Sequence, residues 1–380
     1  MLSFVTPARS GPDAPPQTRS RALEHAGVAR AAHGSEISLT ARLLPGEGID
    51  EMFGRIADAL LDTTIVQMLV FGFVSASAAT TEAMRRQFGS VDWPVTWVEG
   101  GACDSSPIAG IQIFGFAGGE VERIRLDGRV VGSVFNDGTA RHCMLGGLRP
   151  VQNSTSRADQ TEQTFGQLET ALAQAGFCLA DAVRTWFFLD NILSWYDEFN
   201  HTRTQVYSGV KFRTGSLPAS TGVGGRNPAG TALVASAWAV QPLDGSTRAE
   251  EIASPLQCPP PVYGSCFSRA MEISSPAGRR LLVSGTASIA PRGQTLWKAD
   301  PRRQVELTME VVEAILRSRH FSFSDLTRAT AYFKRRADMR TFMEWCAAHG
   351  WRSLPVVPVH CAICRDDLLF ELEADVAQDR

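Results

Sequence analysis

Lysine is nearly missing from this 380-residue chain: only Lys211, Lys298 and Lys334 occur, and almost all of the positive charge is arginine. With 37 basic residues against 40 acidic ones the net charge is −3. There is no polycationic footprint, which argues against nucleic acid as the main partner. Long hydrophobic runs are missing too. The longest, Thr64 to Ala76, is shorter than the ~18 residues a membrane span needs and is broken by Gln67, so no membrane association is expected. No charged start followed by an apolar stretch marks a secretory signal. Cysteine is sparse, eight in the whole chain, a density too low for a disulfide scaffold. These absences together point to a soluble cytoplasmic protein with free thiols.

What is present is a globular composition, 44% hydrophobic and 20% charged, long enough for two or three domains at roughly 100–200 residues each. Residues 1–36 are rich in Pro, Ala, Ser and Arg without sustained periodicity and are expected to form a mobile N-terminal extension, with a short helix around Arg21–Ala32. Beyond it lies an internal repeat. Gln160, Glu162, Thr164, Glu169 and Leu172 recur 144 residues later as Gln304, Glu306, Thr308, Glu313 and Leu316, followed at the same offset by Phe177/Phe321, Asp181/Asp325 and Arg184/Arg328. Two amphipathic helices agreeing by chance would not stay in register through the following segment. Both copies have helical apolar spacing, as in Val305, Met309, Val312 and Leu316, and then enter β-branched or aromatic runs.

Each copy reads ββ-α-β-α-ββ, a mixed sheet with both helices on one face and a closing hairpin at its end. A degenerate earlier copy is expected over Ile49–Phe116, with Val95–Val98 and Ile108–Phe116 as its hairpin. The predicted division is 37–120, 121–250 and 251–380, after the extension 1–36. In the last strand of the third lobe, Leu368, Phe370, Leu372, Ala374 and Val376 point one way, whereas Glu371, Glu373 and Asp375 point the other. A face with three carboxylates is ordinarily solvated. Ala232–Val240 and Ile108–Phe116, however, are apolar on both faces, which implies sheets facing one another. The predicted fold is therefore α+β, three lobes closing as a pseudo-trimer around a central barrel, with clefts between lobes.

On this plan, LLVSGTASI (281–289) and DLTRATAYF (325–333) resemble the RidA/YjgF superfamily, whose members are homotrimers of such chorismate-mutase-like lobes. A single chain carrying the equivalent of that trimer is similar to the chorismatases. ICRDDLLFELEA (363–374) resembles their ICRxDLLVEIE segment, supported by GGLRP (146–150), the Arg-x-Trp of Arg184–Trp186, the Phe-Asn-x-x-Arg of Phe199–Arg203, and YGSCFSRA (263–270). The resemblance covers roughly residues 40–376. It implies cleavage of the enolpyruvyl ether of chorismate or a related small anionic cyclic carboxylate, releasing pyruvate and a hydroxybenzoate or dihydroxycyclohexadiene carboxylate in secondary metabolism. It implies no cofactor and no metal, and a monomer or weak homo-oligomer.

The resemblance maps the family's acid onto Glu371. Protonating the methylene carbon of an enol ether requires an acid that stays protonated near neutral pH, and burial or a neighbouring carboxylate such as Glu373 raises a Glu pKa. Ala235 stands at the equivalent place of the second lobe, so one acid per chain is expected. Cys364 is expected on the face of Glu371 if a two-residue turn connects them, as its helper or as a buried structural thiol. The Cys361-x-x-Cys364 spacing alone is a weak zinc or dithiol signal. Arg184 and Arg203 match positions that hold substrate carboxylates, with ordinary ion pairing as the competing role. His142 and His360 are expected to be core or cleft-lining residues. TGVGGRNPAG (221–230) resembles a phosphate loop only superficially and reads as a hairpin turn.

Two departures stand out. Phe188 occupies the place of an expected substrate-contacting tyrosine, and the Asp190–Asn200 connection has no arginine. A RidA-type imine or enamine deaminase is the alternative enzyme, but PAST (218–221) and VPVHC (357–361) lack the arginine that chemistry uses. A non-catalytic ligand-binding pseudo-trimer is the other.

Overall fold

The computed structural model describes residues 28–33, 35–60, 62–102, 105–153, 155–351 and 353–379. The first lobe runs β1 (Val28–His33), β2 (Glu36–Ala41), α1 (Ile49–Leu60), β3 (Thr64–Gly72), α2 (Ser77–Phe88), β4 (Val95–Glu99) and β5 (Ile108–Phe116). The second comprises β6 (Glu122–Leu126), β7 (Arg129–Asn136), β8 (Ala140–Leu148), α3 (Arg157–Gln174), β9 (Ala182–Leu189), α4 (Tyr196–Ser208), β10 (Ala219–Gly224) and β11 (Leu233–Pro242). The third comprises β12 (Arg248–Ile252), β13 (Ala270–Ser275), β14 (Gly278–Ala287), α5 (Pro301–Ser318), β15 (Leu326–Phe333), α6 (Met339–Ala348), β16 (Val356–His360) and β17 (Phe370–Asp379).

The repeat is exact where the sequence shows it: α3 and α5, and then β9 and β15, begin and end 144 residues apart. Ser156 caps α3 by accepting from Asp159 N, and Asp300 caps α5 by accepting from Arg303 N. The apolar stripe Val305, Met309, Val312 and Leu316 is fully buried against its sheet. Gln160 and Gln304 do the same work in both copies. Gln160 Oε1 accepts from Ala232 N and Gln304 Oε1 from Leu369 N, each at 2.8 Å, fixing the approach to the last strand.

The strand orders are β1-β2-β5-β3-β4, β6-β7-β8-β11-β9-β10 and β12-β13-β14-β17-β15-β16, one plan three times. The expected closing hairpins do not form. In each lobe the penultimate strand (β4, β10 or β16) pairs parallel to the strand before the second helix. The last strand inserts on that strand's other side, antiparallel. A helix between two strands makes a crossover, and crossovers put strands parallel. Segment 221–230 accordingly runs from β10 into a connecting loop. At the N-terminus Val28–His33 is a strand paired with β2, where helix was expected within a mobile extension; residues 1–27 lie outside the described residues.

Each sheet buries its outer face under its own helices. The inner faces share one apolar core drawn from all three lobes, including Phe71, Phe188, Trp238, Leu282 and Val357. Among the described residues the three sheets stay separate, so they enclose a common core without closing into one hydrogen-bonded barrel. Phe71, Phe188 and Tyr332 occupy equivalent positions on β3, β9 and β15. The Phe71 ring meets the other two edge-on, with centroids 6.0 and 6.1 Å away, which marks the pseudo-threefold axis. Phe71→Ala removes the ring that touches both partners and is expected to cost about 3–5 kcal/mol. Urea unfolding measures this, and a loss under about 1 kcal/mol would show that the axis is not packed as described.

Candidate functional site

Strand β17 lies between β14 and β15, so its carboxylate face looks into the junction with the second lobe. Glu371, Glu373 and Asp375 are 4%, 1% and 8% exposed; the face is buried, not solvated. Glu373 is held from both lobes. Its Oε2 accepts from Arg184 Nη2 at 2.9 Å and Trp186 Nε1 at 3.0 Å, and its Oε1 accepts from Thr330 Oγ1 at 3.0 Å. Arg328 stands 3.6 Å from the same oxygen and also donates to Asp375 and to Gln112 Oε1. Burial works against ionising Glu373, but Arg328 and Arg184 outweigh it and its pKa is lowered.

Glu371 has none of this. Among the described residues no donor or cation bonds its carboxylate, and burial together with the charge on Glu373 pushes its pKa up to about 8. Its carboxylate lies against Gly285, where a Cβ would stand 2.1 Å from Oε1. Gly285 sits at the irregularity between Val283 and Thr286 in the β14–β17 pairing, and its N–H donates to Thr221 Oγ1 at 3.0 Å. The same oxygen accepts from Arg184 Nη2 at 2.8 Å. Ser220 N donates to Ser284 Oγ at 2.8 Å. The seam between β10 and β14 thus fixes the acid relative to the second lobe.

Above Glu371 opens a cleft of about 510 Å³ between the second and third lobes. Three arginines line it: Arg203 from α4, Arg269 before β13, and Arg365 before β17. Each is oriented by a bond away from the cleft. Arg203 Nη2 donates to Asn200 Oδ1 at 2.6 Å, Arg269 to Cys258 O at 2.9 and 3.1 Å, and Arg365 Nη1 to Gly293 O at 2.7 Å. Tyr196, Tyr263 and Ser220 add hydroxyls, and Ile289, Leu368 and Phe267 an apolar wall. Burial raises the Tyr196 phenol far above its usual range, so it is a neutral donor.

Of the residues singled out from the sequence, Glu371, Cys364 and Arg203 meet in this cleft. Arg184 does not line it; it stands behind Glu371, fully buried and committed to Glu373 and Thr221. Cys364 arrives on the connecting loop and not across a hairpin turn, and burial and Glu371 push its thiol up to about 12. It is a neutral wall group. Cys361 is raised as well, and both thiols are free. Phe188 is on the axis, while Tyr196 brings a phenol from the start of α4. Tyr196, Tyr263, Arg269 and Arg365 were missed as site residues. The signal for the last three was in YGSCFSRA and in the arginine of ICRDDLLFELEA.

His142 is buried between the first two lobes, and His360 bridges to Gly101. Glu36, Asp137 and His142 bring ligand atoms within 4.8 Å of one another. Trp238 Nε1 donates to His142 Nδ1 at 3.2 Å, which leaves the ring proton on Nε2, bonded to Asp137 Oδ2 at 2.9 Å. With both nitrogens engaged, this is a structural hydrogen-bond cluster and not a metal centre. No helix among the described residues is long and apolar enough to cross a membrane.

The family model described as Endoribonuclease L-PSP matches residues 264–378. A chorismatase of Streptomyces hygroscopicus is 26% identical over 239 residues, which cover 58% of this chain and 68% of that protein. A RutC family protein of Pyrococcus horikoshii is 30% identical over 99 residues, 26% of this chain and 79% of that one. The crystal structure of a chorismatase superposes with a TM-score of 0.64 at 19% identity, covering 91% of this chain and 99% of that one. At that identity the likeness shows the shared fold.

A carboxyl with a raised pKa makes stability depend on pH. Between the ordinary value of 4.5 and about 8 the unfolded state has lost the proton that the folded state keeps, so stability falls as pH rises through this window and levels off above it. Glu371→Gln removes that loss. The variant is expected to match the parent near pH 5 and to exceed it at pH 9 by on the order of 3–5 kcal/mol, read from urea unfolding at both pH values. Equal stability of the two proteins at pH 9 would show that Glu371 ionises normally.

Proposed function

We propose, for a chain that belongs to the chorismatase family of RidA/YjgF-like proteins, that it cleaves the enolpyruvyl ether of chorismate or of a closely related cyclic carboxylate and releases pyruvate. The observation that carries this is the pairing of a buried, unpartnered and protonated Glu371 with three arginines across one cleft. An enol ether is cleaved by protonating its terminal carbon, and a carboxyl with a pKa near operating pH is suited to that task. The resulting oxocarbenium ion takes up water, and the hemiketal collapses to pyruvate and the ring alcohol. Loss of pyruvate by elimination gives a hydroxybenzoate instead.

Arg203, Arg269 and Arg365 supply forked donors for the substrate carboxylates, and Tyr196 and Tyr263 supply hydroxyls for the ring. Arg184 acts one step back, holding Glu373 ionised beside the acid. Cys364 serves as a neutral contact to the ring, since its thiol is not a base. The deaminase alternative has only the weak support of the RidA-type match over residues 264–378, and β10 and β16 begin at Ala219 and Val356 without an arginine.

Purified protein mixed with chorismate is expected to release pyruvate, followed by a coupled assay with chromatography of the ring product. Glu371→Gln lowers the rate at least a thousandfold, within the range that acid catalysis contributes here together with positioning. In the parent, kcat/KM falls as pH rises past about 8, where Glu371 loses its proton. Absence of pyruvate from folded protein would overturn the chorismate assignment. A rate unchanged by Glu371→Gln would overturn the acid.

A further inference from the structure

The pseudo-threefold arrangement makes three lobe junctions, and only the one between the second and third lobes contains Glu371. The strand registers identify what stands at its place elsewhere. Glu371 pairs with Tyr332, and the equivalents of that pair are Val234 with Phe188 and Gly110 with Phe71. The junction between the first and second lobes is closed. Arg226 pairs with Glu99, Glu99 N donates to Arg226 O at 2.7 Å, and Gly225 lies against Val98. The junction between the third and first lobes is open. It holds a cleft of about 730 Å³.

That second cleft is the symmetry mate of the first. Met339 at the start of α6 replaces Tyr196 at the start of α4, and Pro358 on β16 replaces Gly222 on β10. On the receiving lobe, β2 pairs with β5 as β14 pairs with β17, which puts Arg42 in the place of Ala287 and Leu44 in that of Ile289. Both line the cleft, with Leu43, Ile108 and Ala109 completing an apolar wall. Arg42 is exposed, and among the described residues its guanidinium has no partner. Arg336 stands close behind, against Gly101 and over the Phe73 ring. The cleft therefore has an apolar wall like the first and a cation of its own, at a position where the first has an alanine, and lacks its acid.

We propose that this junction is a second, non-catalytic binding site for a small aromatic carboxylate, gripped by Arg42 and packed on Leu43, Leu44 and Ile108. With Gly110 where Glu371 would be, the ligand is held and not turned over. The inference takes from the functional reading only its choice of probe.

The test is calorimetric titration of the full chain with 3-hydroxybenzoate, in the parent, Arg42→Ala and Arg203→Ala. The expected result is a site that Arg42→Ala weakens tenfold or more and Arg203→Ala leaves alone, while Arg42→Ala releases pyruvate from chorismate at the parental rate. Absence of binding, a single site lost only in Arg203→Ala, or sites indifferent to Arg42→Ala would each overturn the proposal. The titration needs no turnover, so its outcome stands apart from that of the chorismate assay.

Discussion

Glu373 is a buried charge, and the chemistry of this protein depends on where its counter-charges are placed. Two carboxyls lie on one face of β17, two residues apart, both removed from water. Arg184 and Trp186 of the second lobe and Thr330 and Arg328 of the third all serve Glu373. A second negative charge at that spacing, in a medium of low effective dielectric, is strongly disfavoured. The proton therefore stays on Glu371. Two carboxyls pushed apart by their surroundings are a recognised route to an acid that works at neutral pH. The buried pair itself is poor evidence of stability, since desolvation offsets much of its attraction. Arg184 Nε and Nη1 have no bonded partner among the described residues, so losing Glu373 would leave a cation with still less support.

The pseudo-threefold fold explains why this arrangement occurs once. Equivalent inner positions read Gln67, Arg184 and Arg328 on the middle strands, and Gln112, Ser236 and Glu373 on the last strands. Each member of the first set reaches into the next lobe. Arg184 meets Glu373, Arg328 meets Gln112 at 3.0 Å, and Gln67 donates to the Leu145 carbonyl at 2.7 Å. The backbone builds three junctions of one design, and side-chain identity decides which of them carries charge. Thr96 accepts from Gly147 N at 2.8 Å as Thr221 accepts from Gly285 N at 3.0 Å. That shared geometry without a carboxyl shows the junction to be a common scaffold onto which Glu371 is added once.

Much of this was legible in the sequence because the repeat has a physical cause. Gln160 and Gln304 are identical because both must bond the backbone ahead of the last strand, and Asp181 and Asp325 because both accept the N–H three residues earlier. Alternation on residues 370–376 separated the carboxylates from the core face correctly, whereas Leu368, expected on that core face, precedes the strand and lines the cleft beside Glu371. The chain could not show strand neighbours. Two short apolar runs joined by a Gly/Pro loop look the same whether they pair with each other or flank a third strand, so hairpins were expected where crossovers formed. The second helix and the loop after it are longer in the second lobe than in the third, which moves the offset from 144 to 137, as Ala232 and Leu369 show. The residue equivalent to Glu371 is therefore Val234 and not Ala235, and it lacks a carboxylate all the same. Tyr196, Arg269 and Arg365 meet only through tertiary packing, and no local pattern joins them.

In the cleft, cations on one side and burial with a neighbouring carboxylate on the other act on Glu371 in opposite directions. Arg184 and Arg269 lower the pKa of Glu371, while burial and Glu373 raise it and prevail. An anionic substrate that neutralises Arg203, Arg269 and Arg365 cancels part of the lowering influence and adds negative charge near the carboxyl. It also displaces water and deepens the burial. Each change acts in the direction Glu373 already acts, so an anion bound there raises the pKa of Glu371 further and keeps it protonated to higher pH. Under the proposed function, the electrostatics that grip the substrate and those that keep Glu371 protonated are therefore coupled through one buried strand, and neither lobe alone supplies both.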